Sequence, residues 1–507
     1  MTGFRTRCLI LALYLGLFGS LAASGQNLAE FEKRVTAFTL SNGMKFIVVE
    51  RHDAPVVSFM TFANVGSTNE TKGITGIAHI FEHMAFKGTK TIGTSDYARE
   101  VPLLENEDAA FRLLRMEEAK GSRADPKILE LLRKKLDAAK EAARRFVVNN
   151  EFAEAIEKAG GVGLNAFTSY DMTGYTSSMP SNKIEMWFSM ESDRFLNPCL
   201  REFYTEKDVI MEERRMSIEN TPTGKLFEEF GSVAFLAHPY GEPLIGHMSD
   251  LKAISREQAE RFFGTHYVAS NLTAVIVGDV APAACRKLAE TYFGRLPKRP
   301  RPEPVVTEEP PQRGERQVTL RLESQPYLIL GYHKPDFNDP AKVAFDVLDD
   351  VLSGGRSSRL YTSLVKEKKI AIRVGTSGDY PGSKYSNLYV FFALPAQGHT
   401  PKECEAAILE EIEKLKREPV TAEELAKAKI RARSDLVGGL ASNDQIAYNI
   451  AFYEIIAGDW REMFHRGLEK LPAVTAADIQ KLARTYFVPE NRSVAVIETG
   501  SATEKIQ

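Results

Sequence analysis

The sequence lacks most of the features that mark specialised protein classes. It has four cysteines in 507 residues, widely spaced and without a C-x-x-C pair, so neither a disulfide framework nor a cysteine-ligated metal site is expected. Its 65 basic and 68 acidic residues leave a net charge of −3, which argues against a nucleic-acid-binding protein. After the N-terminal segment no apolar run is long enough to cross a bilayer, so we expect no stable membrane span.

The N-terminal segment has the pattern of a secretory signal peptide. Arg5 and Arg7 precede an apolar run over residues 8–21, and small residues follow at 22–24. We expect residues 1–24 to be cleaved and the mature protein to be exported into the bacterial periplasm. An uncleaved N-terminal anchor is the alternative. The composition of the chain, 43% apolar and 26% charged, is typical of folded domains.

A proline-rich stretch at residues 298–314 separates two segments that share a pattern. Residues 251–277 and 471–497 align without gaps, and each pattern is typical of a capped helix, an asparagine turn and a β-branched strand. This repeat indicates an internal duplication. It predicts two domains of similar fold, residues 28–297 and 315–502, joined by an extended linker.

Strand patterns alternate with helical segments in both halves. We therefore expect an α+β fold, with two duplicated domains that each contain a mostly antiparallel sheet with packed helices. Residues 104–159 are rich in Glu, Lys, Arg, Ala and Leu, with turn residues at 121–126, which predicts a helical hairpin inserted into the first domain. We interpret its charges as a solvated face, and a docking surface for a partner is the alternative.

One motif carries metal chemistry. His79, Glu82 and His83 form H-x-x-E-H, the inverse of the H-E-x-x-H zinc motif. On a helix, residues four apart lie on one face, so both imidazoles can bind the same tetrahedral zinc ion. The carboxylate between them can take a proton from a water molecule whose pKa zinc lowers to about 7. A histidine pair on an ordinary surface helix is the alternative.

A second acidic segment can supply another ligand. A catalytic zinc usually has a third protein ligand, often a carboxylate. Residues 203–215 predict a helix on which Glu206 and Glu213, seven residues apart, share one face. Taken alone, this helix is better explained by solvated charges that balance one another.

Together these segments resemble the pitrilysin/insulinase family of zinc peptidases. The resemblance is carried by H-x-x-E-H followed by MAFKGT, by GLNAFTS at residues 163–169, by the E-K-D-V-I-x-E-E stretch and by HPYG at residues 238–241. It is strongest with the half-length branch, which includes mitochondrial processing peptidases and bacterial zinc proteases. The resemblance implies a zinc endopeptidase with one Zn²⁺ per chain.

The resemblance also implies roles for individual residues. His79, His83 and Glu213 would be the zinc ligands, Glu82 the general base, and Glu206 a supporting carboxylate beside the ligands. A further set would form an edge strand to which an extended or unfolded peptide adds as an additional strand; these residues are Asn165, Ala166, Phe167 and Thr168. An ordinary sheet strand is the alternative for this segment.

The second half departs from the metal pattern. Alignment places Asp346, Asp349 and Asp350 where the first half has H-x-x-E-H, and residues 429–431 near the counterpart of Glu213, so no histidine-bound zinc is expected there. In the resembled family this half often supplies an Arg and a Tyr that hold the substrate.

At the two matching positions this chain has Val365 and Ile372, which cannot donate hydrogen bonds. We therefore expect a heterodimer with a related chain that supplies the Arg/Tyr pair. A non-catalytic peptide-binding or scaffold subunit is the alternative function.

Overall fold

The structure, a computed structural model, describes residues 28–500. The signal peptide predicted at residues 1–24 lies outside this range. The described residues form two halves, each with one sheet and helices packed against it. This arrangement confirms the predicted α+β class.

Two sheets form the framework of the two halves. In the first half the strands are β1 (Val35–Thr39), β2 (Lys45–Glu50), β3 (Val56–Ala63), β4 (Val162–Thr168), β5 (Thr173–Pro180) and β6 (Leu272–Gly278). In the second half they are β7 (Arg316–Leu322), β8 (Tyr327–Lys334), β9 (Ala371–Tyr380), β10 (Asn387–Pro395) and β11 (Arg492–Thr499). The strand orders are β1-β2-β6-β3-β5-β4 and β7-β11-β8-β10-β9. Only β2–β6 and β7–β11 are parallel pairs among the described strands, so both sheets are mostly antiparallel, as predicted.

Helices surround both sheets. Those of the first half are α1 (Leu28–Glu32), α2 (Ile77–Met84), α3 (Tyr97–Glu118), α4 (Pro126–Arg144), α5 (Glu151–Lys158), α6 (Ile184–Leu196), α7 (Phe203–Arg214), α8 (Pro222–Ala234), α9 (Met248–Ala253), α10 (Arg256–His266) and α11 (Pro282–Tyr292). Those of the second half are α12 (Lys342–Ser353), α13 (Pro401–Arg417), α14 (Ala422–Gly438), α15 (Asn443–Ile456), α16 (Glu462–Phe464), α17 (Leu471–Ala473) and α18 (Ala476–Tyr486).

The two halves repeat each other in detail. Helix α10 and strand β6 begin 220 residues before their counterparts α18 and β11, at the offset of the sequence repeat. The turn between helix and strand is held in the same way in both halves. The side-chain amide of Asn271 donates to the carbonyls of His266 and Asn64, and that of Asn491 donates to the carbonyls of Tyr486 and His333.

The halves also exchange a helix. Helix α15 of the second half packs on β3 and β6 of the first sheet, while α8 of the first half packs on β7, β8 and β11. In the first contact Ile446 and Ile450 meet Val275 and Val277, and all four side chains are buried. Strand β6 is therefore covered on both faces, which explains why its sequence is a continuous apolar run instead of an alternating one.

The inserted helices differ from the predicted hairpin at residues 104–159. Helix α3 begins earlier, at Tyr97, because the side chain of Asp96 accepts a hydrogen bond from the Arg99 N–H at 3.1 Å. Helix α4 ends at Arg144, and α5 is a separate helix that contacts β4. The composition showed that the segment is helical but not where each helix is capped.

The segment at residues 298–314 contains neither helix nor strand, and it is fastened to the surface. The Glu309 carboxylate accepts hydrogen bonds from the backbone N–H groups of Leu236, Ala237 and His238. The linker therefore follows a fixed path between the halves. Over residues 28–500 no helix combines the length and apolar character that crossing a bilayer requires.

Candidate metal centre

Helix α2 places the two motif histidines, and its first turn is tightly fixed. Gly76 precedes the helix with φ +88°, and a Cβ there would lie 2.2 Å from the Ile245 carbonyl oxygen. The buried Glu70 carboxylate accepts hydrogen bonds from the N–H groups of Gly76 and Ala78, at 2.7 and 2.8 Å. These contacts satisfy backbone donors at the helix N-terminus and set the position of the face that carries His79.

The three predicted ligands lie together. Glu213, on α7, places its Oε1 3.7 Å from His79 Nε2 and its Oε2 3.4 Å from His83 Nε2. One potential ligand atom from each of the three residues lies within 4.8 Å of the other two. Ligands of tetrahedral zinc at about 2.0–2.1 Å are separated from one another by roughly 3.3 Å. The two imidazoles and the carboxylate therefore fit a zinc ion after only small side-chain movements.

Two further carboxylates flank this group. Glu82 Oε2 lies 4.0 Å from His79 Nε2, on the same helix. Glu206 Oε2 lies 3.4 Å from His83 Nδ1, so this carboxylate can accept the proton of the ring nitrogen that faces away from Glu213. Such a partner orients a metal-binding imidazole. The other ring nitrogen of His79, Nδ1, is buried without a hydrogen-bond partner in the described part of the chain.

The charges of the centre are strongly coupled. Hydrogen bonds with Glu206 and Glu213 raise the pKa of His83 to about 9 in the metal-free protein. Burial lowers the pKa of His79 below its ordinary value. The hydrogen bond with His83 lowers the pKa of Glu213. Burial alone would raise the pKa of Glu206, but its hydrogen bonds with His83 and Lys87 outweigh that effect and lower it.

Sequence reasoning missed two residues that support the centre. Lys87 places its Nζ 2.5 Å from Glu206 Oε1 and 3.1 Å from Glu202 Oε2, and so fixes the carboxylate behind His83. Its presence in MAFKGT was the available signal. Glu70 had no distinctive signal, because a carboxylate that accepts bonds six and eight residues further along the chain follows no common capping pattern.

The predicted peptide-binding residues lie on an edge strand beside α2. Strand β4 is the last strand of its sheet, and it contacts the zinc-motif helix. Asn165 is exposed, and its side-chain oxygen accepts a hydrogen bond from the Ala166 N–H at 2.9 Å. Ala166 is buried in the hydrophobic core of the first half, and Thr168 is half-buried. Phe167 points to the opposite face, with its ring centroid 6.0 Å from that of Tyr448 on α15.

A cavity of about 320 Å³ opens next to His83. Its walls include Glu82, His83 and Phe86 from the α2 region, residues 147–152, and Glu206 from α7. The centre is thus open to a ligand on one side, and the edge strand β4 borders it on another.

Comparisons with protein families agree with this arrangement. The family described as "Insulinase (Peptidase family M16)" matches residues 45–111 and 145–247, and "Peptidase M16 inactive domain" matches residues 253–431. Together the matched segments cover more than half of the chain. The chain belongs to the M16 peptidase family. Residues 112–144, between the two matched segments of the first half, comprise the end of α3, the turn after it and α4.

Several M16 relatives are similar over most of the chain. Zinc protease PqqE of Helicobacter pylori is 27% identical over 458 residues, which are 89% of each protein. An uncharacterized zinc protease of Bacillus subtilis, YmxG, is 22% identical over 91% of this chain and 98% of its own. At the level of the family, these names support a zinc-dependent peptidase.

Solved structures show the same fold. A protease from Helicobacter pylori has a TM-score of 0.76 and 24% identity, covering 92% of this chain and 99% of that one. The periplasmic protease PqqL from Escherichia coli has a TM-score of 0.69 and 16% identity, covering 92% of this chain and 48% of that one. The M16 fold thus occurs both in chains of this length and as half of a longer chain.

Proposed function

We propose that this protein is a zinc-dependent endopeptidase that hydrolyses extended or unfolded peptides. His79, His83 and Glu213 would hold one Zn²⁺ per chain. The observation that carries the proposal is the convergence of these three side chains with Glu82 beside them. Bound there, zinc would polarise the scissile carbonyl and make water a stronger nucleophile.

Side chains of the protein carry out the proton transfers and hold the ligands in position. Glu82 accepts a proton from the attacking water and returns it to the amine of the leaving peptide. Glu206 orients His83 through Nδ1, and Lys87 holds Glu206 in place. These two residues act on position and charge and do not themselves transfer the proton.

The substrate would add to the free edge of β4. An unpaired edge binds the backbone of any extended peptide through N–H and C=O groups, without reading its side chains. Binding would require the Asn165 side chain to release the Ala166 N–H, which it engages in the peptide-free protein. Such a site favours unfolded segments, because a folded protein keeps its backbone groups paired.

Replacement of the general base tests the proposal. Glu82→Gln should lower turnover of an unstructured fluorogenic peptide at least about 100-fold, while zinc content stays at one per chain. Glu212→Gln is the matched control, because this side chain is 57% exposed on α7 and pairs with Arg215. Retained turnover in Glu82→Gln contradicts the role of Glu82. Absence of tightly bound zinc in the wild type supports the alternative, a peptide-binding or scaffold subunit.

We also propose that a second, related chain completes the enzyme. Val365 is half-buried against the hydrophobic core of the second half, and Ile372 is 55% exposed on β9. Neither side chain can donate a hydrogen bond to the substrate. A heterodimer partner that supplies an Arg/Tyr pair would provide these donors. The partner is expected to co-purify from the periplasm if residues 1–24 direct export. Full-rate peptide cleavage by a zinc-loaded homodimer would overturn this part of the proposal.

A further inference from the structure

The distal hairpin, which we define as residues 112–144, differs in charge from the remainder of the protein. It contains ten basic and six acidic residues, a net charge of +4, whereas the whole chain carries −3. The remainder therefore has a net charge of −7. The same residues lie between the two segments that match the M16 family model, so the charge belongs to a segment that this model does not match.

The solvent face of α4 combines cations with aliphatic side chains. Lys127, Ile128, Leu131, Lys134 and Lys135 are all exposed and recur at helical spacing on one side of the helix. Ile128 is 41% and Leu131 66% exposed. This stripe contains no carboxylate. At its border the acid at position 130 forms an ion pair of 2.7 Å with Lys134, and the exposed acids at positions 137 and 141 follow towards the end of the helix.

Helix α3 presents the same combination on its distal turns. Arg112, Leu113, Met116 and Lys120 are exposed at helical spacing, and the apolar members are 41% and 62% exposed. The carboxylates of these turns face elsewhere. Glu117 is buried and accepts a hydrogen bond from the Asp125 N–H, among other donors.

We propose that the distal hairpin binds the surface of a membrane that contains anionic lipids. Lysine and arginine side chains are attracted to anionic headgroups, and exposed aliphatic side chains enter the boundary between headgroups and acyl chains. The two stripes contain cations and aliphatic residues but no uncharged hydrogen-bonding side chains. Lysine is depleted in protein–protein interfaces, so the lysine-rich composition favours a lipid surface over an acidic protein partner.

Membrane binding would also hold the metal centre near the lipid surface. Residues 147–152, which follow α4 directly, line the cavity beside His83. A hairpin held at a lipid surface would keep this cavity close to that surface, where unfolded membrane-associated chains are found. The binding step itself does not depend on the proposed hydrolysis, because it involves neither the ligands nor the edge strand.

Vesicle co-sedimentation with the full chain tests the inference. The probe is a vesicle of 70% phosphatidylcholine and 30% phosphatidylglycerol at about 0.1 M salt, compared with pure phosphatidylcholine. We expect binding only to the anionic vesicles. Triple replacement of the α4 lysines, K127E/K134E/K135E, should weaken binding at least about 100-fold. The pair M116S/L131S should weaken it roughly tenfold through the loss of apolar contacts.

Matched controls separate the hairpin from overall charge and apolar exposure. K287E/K402E/K481E makes the same change in net charge at exposed positions elsewhere, and V306S removes an apolar side chain that is 82% exposed in the linker. Both controls should bind as the wild type does, with unchanged circular dichroism in every variant. No binding to anionic vesicles, equal weakening by the control triple, or binding to polyglutamate but not to vesicles would overturn the proposal.

Discussion

Removing zinc should leave His83 protonated, and this predicts how the stability of the metal-free protein depends on pH. The imidazole is held between Glu206 at Nδ1 and Glu213 at Nε2, with both N–O distances 3.4 Å. These carboxylates raise the pKa of His83 to about 9, whereas an unfolded histidine has a pKa of about 6.5.

The sign and size of the effect follow from this difference. Because the folded pKa is the higher one, the stabilisation is fully present below pH 6.5 and is lost as the pH rises through 9. A difference of about 2.5 pH units corresponds to roughly 3 kcal/mol. This figure is an upper value, because the Glu213 side chain is 41% exposed and solvent weakens its part of the interaction.

Denaturant unfolding in the presence of a chelator measures the effect. Wild type and His83→Gln are compared from pH 6 to pH 9.5, so that the titration of other groups cancels in the difference. The wild type should lose up to about 3 kcal/mol relative to the variant across this range. If the difference between the two proteins stays constant with pH, the assignment of the raised pKa to His83 is wrong.

The same proton opposes zinc binding. A pKa of about 9 means that His83 must release its proton at pH 7 before it can bind a metal ion. Apparent zinc affinity should therefore rise about 50-fold between pH 7 and pH 9, because the neutral fraction of His83 rises from about 1% to about 50%. His79 adds little to this dependence, because burial lowers its pKa and leaves the ring neutral at pH 7. Competition with a chromogenic chelator measures the affinity, and a flat profile would contradict the coupling.

Three further substitutions test the scaffold. Gly76→Ala should reduce both thermal stability and zinc content, because its Cβ would lie 2.2 Å from a carbonyl oxygen; Gly73→Ala, with φ +98° but nothing within 4 Å of its Cβ, controls for backbone strain alone. Arg201→Ala should lower the free energy of unfolding by about 3–5 kcal/mol, because it leaves the buried carboxylate of Glu100 without its ion-pair partner. Arg201→Lys keeps the positive charge, so its stability should lie between those of the wild type and Arg201→Ala. Phe230→Ala should cost about 3–5 kcal/mol in thermal unfolding by opening a cavity between α8 and the second sheet, and a loss below about 1 kcal/mol would refute this account of the exchanged helix.

The duplication and the histidine pair could be predicted because each depends on local sequence. The helix, turn and strand that end each half recur at one offset, with a capped helix and an asparagine turn in both copies. The histidines lie one helical turn apart, so their shared face follows from the helix alone. Glu213 was found through its spacing from Glu206 and the resemblance to a known family.

The helix exchange could not be predicted, since the apolar pattern of a helix does not identify the sheet it covers. Helices α8 and α15 each pack on the sheet of the other half. The predicted domain boundary therefore divides the sequence into two repeats, but it does not divide the structure into two separately packed units. Glu70 was missed for a related reason. The Glu70 carboxylate can accept hydrogen bonds from Gly76 and Ala78 only because the loop from Glu70 to Gly76 folds back on itself.

In the second half, the two helices that correspond to the metal centre carry an ion pair in place of histidines. Helix α12 carries Asp350 at the position of His83, and helix α14 carries Arg431 near the position of Glu213. Their side chains form an ion pair, with Nη1 3.0 Å from Oδ1. In the first half two imidazoles and a carboxylate converge, and in the metal-free protein the positive charge between the helices is that of the protonated His83, which can give up its proton. In the second half a carboxylate faces a guanidinium, so the cation that joins the two helices is part of the chain. A guanidinium has no lone pair to offer and keeps its charge, so this pair cannot hold a metal ion; among residues 28–500 the side chains grouped closely enough to hold one are those of the first half.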